Sequence, residues 1–295
     1  MTFDQLRIFI AVAEREHVTQ AAAALNMTQS ATSAAISALE ERHAVQLFDR
    51  IGRRIILTDA GRIFLDEARA LLARAQQAEQ VLDDLAGLKR GTLRLGASQT
   101  VATYWLPLLM QQFRKQYPGL ALELITGNTS QVTTMVHDAI VDLGFVEGTV
   151  SDPALSKQSL RGDELALVVA PGHQWIEQPP RKANDFLKSA WILREPGSGT
   201  RAIADAFFAS HRISALDLEL TLELPSNEAV RAAVEAGDSA TILSTLVTQA
   251  SLEAGRLVRV NCNLPARQFH VLWHRERRLT KAEQRLMKIS GIDHA

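Results

Sequence analysis

This chain of 295 residues predicts an α/β protein with a small helical module in front, and three observations predict it. Two helix-forming stretches and an arginine-bearing apolar pair of segments open the chain. A long proline-free segment with a regular apolar seam follows. From Thr92 onward, short apolar runs alternate with helical ones to the end.

The opening module reads Thr19-Gln-Ala-Ala-Ala-Ala-Leu25, a polar corner at Asn26-Met27-Thr28, then Gln29-Ser-Ala-Thr-Ser-Ala-Ala-Ile36-Ser-Ala-Leu-Glu40. Thr19 and Thr28 are suited to N-cap a helix, because a side-chain oxygen satisfies an orphan N–H of the first turn. Small side chains on the first helix let the second cross it closely, as a helix-turn-helix requires. Ile36 and Leu39 are placed to face inward. Thr28, Gln29, Ser30, Thr32 and Ser33 lie at the N-terminal end of the second helix, the end that reaches base edges in such modules. Leu47-Phe48-Asp-Arg50-Ile-Gly52-Arg53-Arg54-Ile-Ile-Leu57 then reads as a hairpin turning at Gly52. Arg50, Arg53 and Arg54 gather at its tip, where guanidinium groups can pair with phosphates.

These residues resemble the LysR-type transcriptional regulators. The resemblance is carried by Leu47-Phe48-Asp49-Arg50, Arg53-Arg54 and Leu57-Thr58-Asp59-Ala60-Gly61, and it extends over the whole chain. It implies a winged helix-turn-helix over residues 1–58, a linker and dimerisation helix over 59–90, and an effector-binding domain over 91–295. That last domain is implied to be two-lobed and similar to periplasmic binding proteins, with lobe one at 91–161 and 267–295 and lobe two at 162–266. Operator DNA, a homodimer or homotetramer, and RNA polymerase in the case of an activator are the implied partners.

Residues within the long segment support the linker directly. Phe64, Ala68, Leu71, Ala75, Ala78, Leu82 and Leu85 alternate spacings of four and three, the pattern that packs one helix against another. A helix of roughly 45 Å would overhang a small module, so pairing with a second copy through Phe64, Leu71, Leu82 and Leu85 is expected.

Beyond it, Thr92–Ala97, Ala121–Ile125, Val141–Val146 and Glu164–Ala170 read as strands. Helices are expected from about Val101 to Tyr117 and Ser130 to Ala139, so the sheets should be parallel. Ligands of open α/β sheets sit beyond the carboxyl ends of the strands, often at helix N-termini. Three polar corners occupy such places: Ser98 with Thr100; Asn128 with Thr129; and Ser198, Gly199, Thr200 and Arg201. By the resemblance, these corners face each other across the effector cleft. Hydroxyls and helix-start N–H groups favour a small anion, a carboxylate or an inorganic oxyanion, with no cofactor. The segment Gly237 to Ser244 departs from the family in being more polar, and Ala34 and Ala35 replace residues that are often larger.

Composition narrows the alternatives. A hydrophobic content of 46% with 22% charged residues suits a globular protein. The net charge of −1 offers no bulk attraction to DNA, so the electrostatic argument rests on the arginine cluster. No signal peptide and no apolar run of the roughly 20 residues needed for a membrane helix is seen, so a cytoplasmic location is expected and no membrane partner. Cys262, alone, forms no internal disulfide. No phosphate-binding loop or nucleophile elbow occurs, and no nucleophile–base pair can be assembled, which disfavours an enzyme. His270 and His274 lie on an alternating segment that reads as a strand, roughly 13 Å apart, too far for one metal ion. The competing reading is a small-molecule binding protein with an incidental helical N-terminus.

Overall fold

The computed structural model describes residues 1–51, 54–85 and 91–291; the side chains at 50, 51, 54, 76, 77 and 79–85 lie outside the description. Contacts divide the chain into two units, Met1–Leu82 and Asp83–Ala295.

The first unit comprises α1 (Phe3–Arg15), α2 (Val18–Ala24), α3 (Gln29–His43), a hairpin of β1 (Phe48–Ile51) and β2 (Arg54–Leu57), and α4 (Asp59–Leu85). Thr28 caps α3 by accepting from the Ala31 N–H at 3.2 Å. Thr19 does not cap α2, which starts one residue earlier; His17 is the cap, its Nδ1 facing the Gln20 N–H. Phe9 anchors the core, with ring centroids 5.4 Å from Phe48 and 4.8 Å from Phe64. Glu40 accepts from the N–H groups of Leu47 at 2.8 Å and Phe48 at 3.1 Å, tying the hairpin root to α3.

Thr58 sets the start of α4. Its N–H donates to the Leu47 carbonyl, its hydroxyl donates to that of Gln46, and the same oxygen accepts from Gly61. A Cβ at Gly61 would stand 2.1 Å from the Leu47 oxygen, so only glycine admits this approach. The apolar seam of α4 therefore divides. Ala68 is buried and Phe64 packs on the same core, whereas Leu71 is 43% exposed. Phe64, expected at the contact between copies, packs on the core of its own module, because α4 lies over Phe9 in its first turns. The side chains of Leu82 and Leu85 lie outside the described residues.

The second unit has two lobes. In lobe one, β3 (Thr92–Ser98) leads through a π-helical turn (Val101–Trp105) into α5 (Leu106–Gln116), followed by β4 (Ala121–Gly127), α6 (Thr129–His137), β5 (Leu143–Glu147) and β6 (Leu155–Leu160). One helix was expected from Val101 to Tyr117. The wide turn precedes Pro107, which has no N–H to continue an α-helical ladder. Lobe two holds β7 (Leu165–Val169), α7 (Ala183–Phe186), β8 (Trp191–Arg194), α8 (Gly199–Ser210), β9 (Leu220–Leu224), α9 (Asn227–Glu235), β10 (Thr241–Ser244), α10 (Thr245–Glu253) and β11 (Val258–Val260). The chain then returns to lobe one as β12 (Phe269–His274) and α11 (Lys281–Ile289).

Both sheets follow one plan. In lobe one the order is β4-β3-β5-β12-β6, with β3 parallel to β4 and β5 and with β12 antiparallel to β5 and β6. In lobe two the parallel pair β8-β9 meets β10-β7-β11 through a bridge between Trp191 and Ala240. The expectation of purely parallel sheets fails where the chain exchanges lobes: β7 and β12 arrive by crossovers and run antiparallel to their neighbours. The crossovers touch, since a Cβ at Gly162 would fall 1.8 Å from the Arg267 carbonyl oxygen.

A buried ionic cluster fixes α11 to lobe one. Arg277 donates to Asp142 and Glu283, while the other Glu283 oxygen accepts from the Thr280 N–H at 2.7 Å. Burial pushes the Glu283 carboxyl up to about 7, against the pull of Arg277 and with the help of Asp142. The folded chain thus holds a proton there that the unfolded chain, with its carboxyl near 4.5, has released. Stability falls as pH rises through that window. Glu283→Gln should flatten this fall, and the wild type should lose on the order of 1–3 kcal/mol more than the variant between pH 5 and pH 8 in urea unfolding.

Candidate functional site

Two sites take shape, one in each unit. In the first, the start of α3 is presented outward: Thr28, Gln29 and Ser30 are exposed and Ser33 is half-buried. Thr32 departs from expectation. It is 0% exposed, and its hydroxyl donates to the Thr28 carbonyl at 3.1 Å, so it braces the first turn and does not face out. Arg53 lies outside the described residues. Arg50 and Arg54 sit on β1 and β2, opposite Ile55 and Ile51, with their side chains outside the description.

In the second unit, the carboxyl ends of strands from both lobes converge. Lobe one brings Ser98 at the end of β3, Thr100 before the π-helical turn, Glu147 at the end of β5, and Asn128 and Thr129 at the start of α6. Lobe two brings Arg194 and Glu195 at the end of β8, Ser198 to Thr200 at the start of α8, and Asn227 at the start of α9. The lobes are joined on both flanks. Gln99 donates to the Pro225 carbonyl at 2.6 Å and accepts from the Asn227 N–H at 3.0 Å. On the other side the Ser130 N–H donates to the Gly197 carbonyl at 3.1 Å, and Asn128 Nδ2 donates to Glu195 at 3.1 Å. A Cβ at Gly199 would stand 2.2 Å from the Glu147 carbonyl oxygen, so the glycine permits this closeness.

The expected hydroxyls are divided by what they already do. Ser98 donates to the Glu147 carboxylate and Thr129 to the Glu147 carbonyl, so both protons are committed. Thr100 accepts from Asn227 Nδ2, and Thr200 accepts from Arg267 Nη1, each at 3.0 Å. Ser198 caps α8 by accepting from the Arg201 N–H at 3.4 Å. These last three oxygens keep a proton to donate. Arg201 was open to two readings, an ion pair for the effector or a helix residue facing outward; its guanidinium is held within lobe two, at 2.8 Å by each of Asp205, Glu223 and the Arg194 carbonyl.

Behind the cleft lies a charged cluster that sequence reading missed. Arg267, on the returning crossover, donates to Asp163 on the outgoing one and to Thr200, and its Nη1 lies 3.8 Å from Glu147. Ser244 donates to the same Asp163 carboxylate. Their side chains are at most 5% exposed. Among the described residues no group of three or more His, Cys, Asp or Glu is placed to hold a metal, and no helix is long and apolar enough to cross a membrane.

Residues 3–62 match the family model described as "Bacterial regulatory helix-turn-helix protein, lysR family", and residues 86–290 match "LysR substrate binding domain". The chain is 36% identical to the uncharacterized HTH-type transcriptional regulator YeiE of Escherichia coli K12, over 97% of this chain and 96% of that protein. It is 33% identical to the HTH-type transcriptional activator CmpR of Synechocystis, covering 82% and 79% of the two chains. Among solved structures, full-length CbnR complexed with its target DNA superposes with a TM-score of 0.68 at 22% identity over 99% of both chains. A full-length OxyR from Pseudomonas aeruginosa gives 0.69 at 18% identity, over 98% of this chain and 93% of that one.

Arg267→Ala would leave Asp163 and Glu147 buried without their cation. The expected loss is about 3–5 kcal/mol in the urea unfolding of the second unit, with Arg267→Lys intermediate because a point charge cannot replace the fork.

Proposed function

The chain belongs to the LysR family of bacterial transcriptional regulators, and from that premise we propose how its two sites act. It is a DNA-binding regulator with an effector-binding domain. In our reading, the exposed start of α3 enters the major groove, with Gln29, Ser30 and Ser33 nearest the bases. Arg50, Arg53 and Arg54 pair with flanking phosphates. Two copies would join through α4, supported by the exposed Leu71 and by an apolar groove of about 400 Å³ lined by Met1, Leu39, Val45, Ile63 and Phe64. The protein would act in the cytoplasm, by binding and not by catalysis, and would engage RNA polymerase where it activates.

The effector, in this reading, is a small anion seated between the lobes. The observation that carries it is the convergence of three helix starts, those of α6, α8 and α9, on one cleft, with the hydroxyls of Thr100, Thr200 and Ser198 free to donate. The ligand would regulate by favouring one lobe arrangement over another through its difference in affinity for the two.

Binding to an operator selected from random DNA tests the first site. Arg53→Ala should weaken binding to all sequences and lower the salt slope by about one. Gln29→Ala should instead relax preference at one base pair, by roughly 1–3 kcal/mol. An unchanged salt slope in Arg53→Ala would refute the wing contact. For the second site, calorimetry with the best anion from a thermal-shift screen should show Thr100→Ala binding about tenfold or more weaker, the loss of one hydrogen bond to a charged group. A tight ligand that proves cationic would overturn the anion reading alone.

A further inference from the structure

We propose that Glu195 is an internal stand-in for the effector's acid group: its carboxylate occupies a seat built by Arg194 and Asn128, and an anionic effector binds by displacing it. This rests on the reading that the effector is an anion, and it names the residues that recognise it.

Three arginines lie beside or behind the polar corners, and each already has a carboxylate. Arg267 is paired with Asp163 in the interior behind the cleft. Arg201 is held by Asp205 and Glu223 within lobe two. Arg194 differs. Its side chain is 2% exposed, and its partner is the very next residue, whose side chain is 20% exposed. Nε donates to one Glu195 oxygen at 2.8 Å and Nη2 to the other at 3.0 Å, the two-pronged geometry with which arginine takes any carboxylate or oxyanion. Neighbours within a strand point to opposite faces, so this pairing exists only because the chain leaves β8 at Arg194. The carboxylate is thus carried on the irregular Glu195-Pro196-Gly197 corner, where a rotation of its own side chain can withdraw it.

The seat also spans both lobes. Asn128, capping α6 in lobe one, donates to the same Glu195 carboxylate. The remaining arm of Arg194, Nη1, donates to Asn227, which in turn donates to Thr100 of lobe one. A carboxylate at this point is therefore held by a guanidinium fork from one lobe and an amide from the other. Glu195 stays ionised there: burial opposes its charge, but hydrogen bonds from Arg194 and Asn128 outweigh that and hold its carboxyl below the usual value. Nε and Nη2 of Arg194 are taken by Glu195 and Nη1 by Asn227, so an entering anion gains the two-pronged face only by exchange with Glu195. When Glu195 leaves, its bond to Asn128 breaks, and the anion must re-form that link if the lobes are to stay joined. Binding and lobe contact are then a single event. Anions with two oxygens in a plane, or an oxyanion face, match the fork; halides do not.

The test is calorimetric titration of the full-length protein with sulfate, phosphate and acetate at fixed ionic strength. Glu195→Gln keeps the size of the side chain and an oxygen for Asn128 while removing the competing charge. At least one anion should bind ten times or more tightly to this variant than to the wild type, and adding Arg194→Gln should abolish the gain. Glu195→Ala should show the same gain and serves if the glutamine variant does not fold. If an anion binds the wild type and both variants equally, Glu195 is only a clasp between lobes and the seat is wrong, while the anionic effector stands. If no anion binds any of the proteins, the seat and the anion reading fall together.

Discussion

One guanidinium carries the architecture of the effector-binding unit. Arg267 meets Asp163 where the two crossovers touch, reaches Thr200 in lobe two, and lies beside Glu147 at the end of the central strand of lobe one. A buried ion is tolerable only when paired and hydrogen-bonded, and here two carboxylates share one cation with hydroxyls filling the remaining valences. Ser98 and Ser244 serve as those hydroxyls. Each polar corner of the cleft therefore touches the charge cluster behind it, through Ser98, Thr129 or Thr200.

This explains how far the sequence could be read. The helix pair with its Thr28 cap, the wing strands, the alternation of strand and helix, and the three polar corners all rest on local rules of spacing and capping, and each is present. Some local readings failed, such as the Thr19 cap and the unbroken helix from Val101, but the larger failures were non-local. Asp163 and Arg267 are 104 residues apart, and no periodicity announces that they meet. Antiparallel β7 and β12 were invisible for the same reason, because direction depends on which lobe the chain has just left. Ala68 and part of Phe64 pack on their own core, which the spacing could not show, because a seam facing a partner copy and a stripe facing its own core repeat alike. Thr32 could equally have pointed outward or bonded back to Thr28. Arg201 was different: Asp205 stands four residues later on the same helix face, a pairing the sequence displays openly.

In the first unit the equivalent constraint is steric. Thr58 and Gly61 bring the start of α4 against Leu47, so the wing and the long helix share one junction. Glu40 fixes the other side of that root to α3. The hairpin and the first turns of the long helix are thereby packed on one core, with Phe9 against Phe48 of the one and Phe64 of the other.

The paired crossovers also limit what the lobes can report. The two chain segments that link the lobes are in contact, with Gly162 against the backbone of Arg267. Backbones packed this closely leave little room for one to slide past the other, and rotation about their common line disturbs that contact least. If the proposed anion changes how the lobes are arranged, that motion has one number to carry its effect, the angle between the lobes. A mechanism built on one angle needs no change in the interior of either lobe, and ligands of different shape become equivalent signals whenever they set the same angle.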